Sequence, residues 1–134
     1  MKVIILGCSR VGALLATQLI SRGDEVSVID QDPGSLKRLG RDCGAKALLG
    51  IGIDEEALKR AEIEKAEAFI AVTNDDNTNL MAAQLVREKF KTPKIFLRVY
   101  DPKRAEAFKE LDLNIICPTI DTAKKIEKFL SEKA

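Results

Sequence analysis

The sequence predicts a doubly wound α/β fold, a six-stranded parallel sheet in the order 3-2-1-4-5-6 with a C-terminal helix. Three observations carry that expectation. Short β-branched runs alternate with helical segments along the whole chain, the pattern that right-handed crossovers turn into a parallel sheet. The runs are continuously apolar, as strands covered on both faces are. The 134 residues read as one unit (1–134), undivided by a linker or low-complexity tract. A chain of this size buries close to 70 % of its unfolded surface, so no disulfide or metal is required to hold a core.

Each element has its own signal. Val3-Ile4-Ile5-Leu6 is a buried strand that stops at Gly7, and Val11 to Ile20 follows helical spacing through Val11, Leu14, Leu15 and Leu19. Glu25 to Asp30 is the second strand. Asp32-Pro33 opens a helix that carries Leu36 and Leu39 and ends before Gly44, with Asp as N-cap and Pro in the first turn. Lys46 to Leu49 is a weaker third strand, and Asp54 caps a short helix from Glu55 to Ala61. Ala68 to Val72 is a strand, Asn74-Asp75-Asp76 opens a helix to about Lys89, and Lys94 to Val99 is a strand. Asp101-Pro102 starts a helix with Phe108 and Leu111 inward, and Asn114 to Ile116 is the last strand. A final amphipathic helix covers about 119–132, with Ile120, Ala123, Ile126 and Leu130 on one stripe and Lys124, Lys125 and Lys128 opposite.

Composition removes several classes of function. The 22 basic and 21 acidic residues leave a net charge of +1, so no field steers the chain toward nucleic acid or an acidic membrane. Aromatic residues are 4 % and tryptophan is absent, which leaves no stacking platform for single strands. Histidine is absent, and with it every histidine-based triad, Cys/His pair and most catalytic zinc sites. The three cysteines, Cys8, Cys43 and Cys117, have no CxxC spacing and fit a reducing compartment. No apolar run spans a bilayer, and the greasy start is too short for a signal peptide. The expectation is a soluble cytoplasmic domain without a metal site.

Winding direction reverses between strands 1 and 4, so a ligand crevice is expected at Gly7–Gly12 and Thr73–Asp76. The first of these, Gly7-Cys8-Ser9-Arg10-Val11-Gly12, is a G-x-G-x-x-G turn with Ser in the middle position. Gly7 makes the tight turn, Gly12 lets helix and strand approach, and the N–H groups opening the helix face an anion. Ser9 offers a small side chain and a hydroxyl donor, and Arg10 a cation beside the phosphates. Asp30, at the end of strand 2, accepts from both ribose hydroxyls of an adenosine and repels a 2′-phosphate, which favours NAD or an adenine nucleotide over NADP. Thr73, Asp76 and Asn79 lie at the mouth of strand 4 as capping or ligand residues. Arg98 is a lone charge on an apolar strand and should point into the crevice or a partner, since an unpaired buried guanidinium is costly. Cys8 sits near a helix N-terminus, which lowers a thiol pKa where it acts.

Together these segments resemble one family. The GCSRVG turn, Val28-Ile29-Asp30, the Gly50 stretch, Ala71-Val72-Thr73-Asn74-Asp75-Asp76 with Asn79-Leu80, and Leu97-Arg98-Val99 are similar in order to the TrkA-N (KTN/RCK) domain. The resemblance implies a cytosolic regulatory subunit of a prokaryotic potassium channel or uptake system, peripheral to the inner face of the membrane through that partner. It implies NAD(H) or ATP, ADP or AMP as ligand, with Arg10 near the phosphates and Asp30 on the ribose, and homodimers assembled into a ring. The candidate ligand residues are Gly7, Ser9, Arg10, Val11, Gly12, Asp30, Gly50, Thr73, Asn79 and Arg98. The chain departs from the family at Ser9, where Gly is usual, at Ile51, where Asp is usual, and at Thr119, where some members carry Glu.

Association is also expected from the residues. Leu80, Met81, Ala82, Ala83, Leu85 and Val86 cover more of one helix than the sheet needs, and the last helix has an apolar stripe with no strand after it. Two other readings stay open: an NAD-dependent dehydrogenase module lacking its substrate domain, and an oligomerisation module with an empty crevice. The absence of histidine and of a Tyr-x-x-x-Lys pair (Arg104 follows Tyr100) weighs against an enzyme.

Overall fold

The computed structural model describes residues 1–40, 42–51 and 53–132. Six strands, β1 (Lys2–Leu6), β2 (Glu25–Asp30), β3 (Lys46–Leu49), β4 (Ala68–Ala71), β5 (Lys94–Arg98) and β6 (Asn114–Ile116), form one sheet in the order β3-β2-β1-β4-β5-β6. Every pairing is parallel; Val3 lies opposite Val26 on one side and Ala68 on the other. This is the expected doubly wound sheet.

Strand alternation sorts the core into two layers. Ile4, Leu6, Phe69 and Leu97 point to the face that also buries Leu58, Leu80 and Val86. Val3, Ile5, Val26 and Val28 point to the opposite face, with Ala16 and Leu39. The helices are α1 (Arg10–Ser21), α2 (Pro33–Leu36), α3 (Glu55–Arg60), α4 (Asp76–Leu85), α5 (Pro102–Ala107) and α6 (Pro118–Ser131). Ser9, Asp32, Asp54, Asp75 and Asp101 each accept a first-turn N–H, capping α1 to α5 in turn.

Three expectations change. The second helix is short, running through a 3-10 turn at Lys37–Leu39 and ending at Gly40, because Gly40 takes positive φ and stops the helix there. The buried face of α1 is Gly12 and Ala16, while Val11 and Leu14 are exposed; small residues face the sheet because the backbones approach closely. The helix after β4 turns nearly all its apolar residues inward, leaving Met81 exposed, and closes in a π turn over Val86–Phe90. In α6 no residue is buried, and Ile126, Phe129 and Leu130 stand exposed.

Candidate functional site

A cavity of about 370 Å³ opens where the carboxyl ends of β1, β2 and β4 converge, within the range of small-molecule pockets. Gly7, Ser9, Asp30, Gly50 and Thr73, five of the candidate ligand residues, line it. Gly7 has φ +104°, its N–H donates to the Ile29 carbonyl at 2.8 Å, and a Cβ there would meet Thr73 N at 2.8 Å. The turn is thus pressed between β2 and the loop after β4. A Cβ on Gly12 would lie 2.1 Å from the Gly7 carbonyl oxygen, so α1 packs on the turn as tightly as the motif requires.

Ser9 has a different task from the one expected of its hydroxyl. Its Oγ donates to the Val72 carbonyl at 2.8 Å and accepts from Gly12 N at 3.2 Å. The single hydroxyl proton therefore ties β1's turn to β4 and is not free for a phosphate. The cap at Gly12 leaves the N–H groups of Arg10 and Val11, at the start of α1, for an anion. The side chains of Arg10 and Val11 are exposed and lie outside the cavity wall; Gly12 is buried and also outside it.

Asp30 is held from both sides. Oδ2 accepts from Cys8 N and Oδ1 from Asp32 N, each at 2.8 Å. One lone pair on each oxygen is left for a ribose hydroxyl. The Cys8 thiol is fully buried, and burial with the Asp30 charge pushes its pKa up, so it is no thiolate nucleophile. Beside Asp30 stands Arg38, which sequence reasoning missed. Its Nη1 donates to the Cys8 carbonyl at 2.8 Å, and it is the one basic side chain in the wall among the described residues. Its spacing from Ser35, one helical turn earlier and also in the wall, was the available signal. Ile51 and Ile53, both about half exposed, give the β3 side an apolar wall.

The β4 side is built by a brace behind the wall. Asn79 was expected near the ligand, yet it is fully buried and lies outside the wall. Its Oδ1 accepts from Thr73 N at 3.0 Å and Thr73 Oγ1 at 2.7 Å, while Nδ2 donates to the carbonyls of Thr73 and Arg98. Arg98 likewise turns away from the cavity. At 5 % exposure it donates from Nη2 to the Val72 and Thr73 carbonyls and to Asn74 Oδ1 at 2.9, 3.1 and 3.3 Å. Its guanidinium also lies 4.7 Å over the Tyr100 ring. Carbonyl dipoles and a ring thus replace the carboxylate that a buried cation usually needs, which is why it points neither into the crevice nor outward. Asp76, one residue past the α4 cap, accepts from Tyr100 N and Asp101 N at 2.8 and 3.0 Å and fastens the end of β5.

Among the described residues no helix is long and apolar enough to cross a membrane, and no cluster of His, Cys, Asp or Glu is placed to hold a metal. Known proteins are similar to this chain in sequence and in fold. The Trk system potassium uptake protein TrkA of Streptomyces coelicolor is 44 % identical over 124 residues, 92 % of this chain and 54 % of that protein. A TrkA homolog of Methanothermobacter thermautotrophicus is 36 % identical over 132 residues, 98 % of this chain and 61 % of that one. The chain thus spans a little over half the length of these relatives. The TrkA-N domain of inner membrane protein ybaL from Escherichia coli superposes with a TM-score of 0.85 at 22 % identity, covering 96 % of each chain. The Kef CTD of Shewanella denitrificans in its AMP-bound form gives 0.83 at 21 %, covering 100 % of this chain and 84 % of that one. The GsuK channel bound to NAD gives 0.73 at 22 %, covering 86 % of this chain and 21 % of that one. At these identities the structures share the fold. The model of the TrkA-N domain matches residues 3–118, from β1 to the start of α6, and with the sequence relatives it places this chain in the TrkA-N family.

Proposed function

We propose that the chain is the nucleotide-sensing part of a potassium transport regulator, acting at the inner face of the cell membrane through a channel or transporter subunit. The ligand is NAD(H) or an adenine nucleotide; Asp30 takes the ribose and the first N–H groups of α1 take the phosphates. The chain is regulatory and not catalytic: the cavity holds no histidine and no activated nucleophile. The names of its relatives and the nucleotides in its structural neighbours support the reading.

The observation that carries it is a continuous set of contacts from cavity to α6. Asn74, in the wall, accepts from Arg98; Arg98 stacks on Tyr100; the Tyr100 carbonyl accepts from Thr119 Oγ1 at 2.9 Å in the first turn of α6. The exposed apolar stripe of that helix is the surface for a second subunit in a dimer or ring. A nucleotide that prefers one setting of Arg98 and Asn74 biases the orientation of α6 and thereby the assembly.

Thermal unfolding with NAD, NADH, ATP, ADP and AMP tests this. A ligand at a hundred times its Kd adds about 2.7 kcal/mol, which raises Tm on the order of 10 °C. The shift is expected to vanish in Asp30→Ala. No shift with any of these nucleotides rejects the sensor reading in favour of a ligand-free oligomerisation module, and a saturating nucleotide that leaves the sedimentation profile unchanged rejects the coupling of binding to assembly.

A further inference from the structure

Resting on the reading of the cavity as a nucleotide site, we infer that it selects by charge for NAD(H) over nucleoside triphosphates, with Asp75 as the specificity-determining residue. The adenosine end is set by Asp30 and Arg38, and the phosphates by the start of α1. Whatever follows the first phosphates must leave along the β4 side, whose wall is Thr73, Asn74, Asp75 and Thr78.

No basic side chain lines that side among the described residues. Arg98, distant in sequence but bonded to this loop, is turned onto the Val72 and Thr73 carbonyls and is 5 % exposed. The Arg10 side chain is exposed outside the wall, and Arg38 stands on the ribose side. What the wall does carry is the Asp75 carboxylate. Oδ1 accepts from Asn77 N at 3.1 Å and Oδ2 from Thr78 Oγ1 at 2.9 Å, so the group is held in place with a lone pair spare on each oxygen.

These groups treat the two kinds of ligand oppositely. The β- and γ-phosphates of ATP bring negative charge toward a fixed carboxylate with no cation beside it. A dinucleotide brings a second ribose there instead, whose hydroxyls donate to Asp75 and to the oxygens of Asn74 and Thr73. A like-charge contact at a partly screened surface accounts for about a tenfold difference in affinity.

Titration calorimetry of the intact chain with AMP, NADH and ATP, each with EDTA and again with Mg²⁺, tests the inference. NADH is expected to bind at least tenfold more tightly than ATP in both conditions. Asp75→Asn keeps a good helix cap; it should tighten ATP several-fold, leave AMP unchanged and not tighten NADH. ATP or its Mg²⁺ complex binding as tightly as NADH, or an Asp75→Asn change equal for both ligands, overturns the inference while leaving the sensor intact. Failure of all three nucleotides to bind overturns the sensor reading itself.

Discussion

Asn79 illustrates how a residue at the mouth of the crevice serves the site without reaching it. Both ends of its amide are used internally, and it fastens the loop after β4 to the end of β5. Replacing it by Leu keeps the volume and takes the partner from the Thr73 N–H and the Arg98 carbonyl, at a cost of about 2–4 kcal/mol. Chemical denaturation should show that loss, with nucleotide affinity reduced as the Thr73 wall loosens. Gly12 is a packing counterpart. With the Gly7 oxygen 2.1 Å from any Cβ, Gly12→Ala must push α1 off the turn, and it should destabilise the chain by at least about 2 kcal/mol in the same assay.

At the scale of elements, α6 is the piece that the domain does not cover. Its first turn is anchored by Thr119 on the Tyr100 carbonyl, but Ile126, Phe129 and Leu130 are 55, 61 and 73 % exposed. Substituting exposed side chains changes the stability of the chain itself by about 0.5 kcal/mol or less. The double change Phe129→Glu with Leu130→Glu should therefore leave nucleotide binding intact and lower self-association in sedimentation velocity. Unchanged association would place the subunit contact elsewhere, with exposed Val11 and Leu14 on α1 as the next apolar surface. The inward turn of α4 bears on the same question: sequence periodicity offered it as a second association face, and the sheet absorbs nearly all of it.

The whole molecule has a pH dependence that its charge pairs set. Lys2, at the start of β1, reaches Glu25 at the start of β2 and Glu62 in the turn before β4, the latter at 3.0 Å. Hydrogen bonding to Glu25, then to Glu62, raises the Lys2 pKa, and hydrogen bonding to Lys2, then Lys65, lowers that of Glu62. The raised lysine contributes stability below its unfolded pKa that is lost as pH rises through the higher folded value. The lowered carboxylate contributes stability above its unfolded pKa that is lost as pH falls through the lower folded value. Tm should therefore be level around neutrality and fall on both the acid and the strongly alkaline sides. In Lys2→Gln both falls should be shallower when followed by thermal melts across pH.

Strand order, capping and the Gly-rich turn were legible from the residues because each depends on a local rule. Continuously apolar runs such as Val3 to Leu6, Asp at four helix starts, and a glycine where backbones meet all act over a few positions. Asp30 was legible for the same reason, as an acid closing a strand. What only the tertiary structure decided is the direction of the polar side chains. Arg98 turns inward because Val72 and Thr73, about 25 positions earlier, place carbonyl oxygens beside it. The Ser9 proton goes to Val72, 63 positions away, for the same reason. Arg38 enters the wall only once α2 folds over the turn and offers it the Cys8 carbonyl. A sequence records which groups can bond; parallel pairing of distant strands determines which bonds form, and so which charges are left facing the ligand.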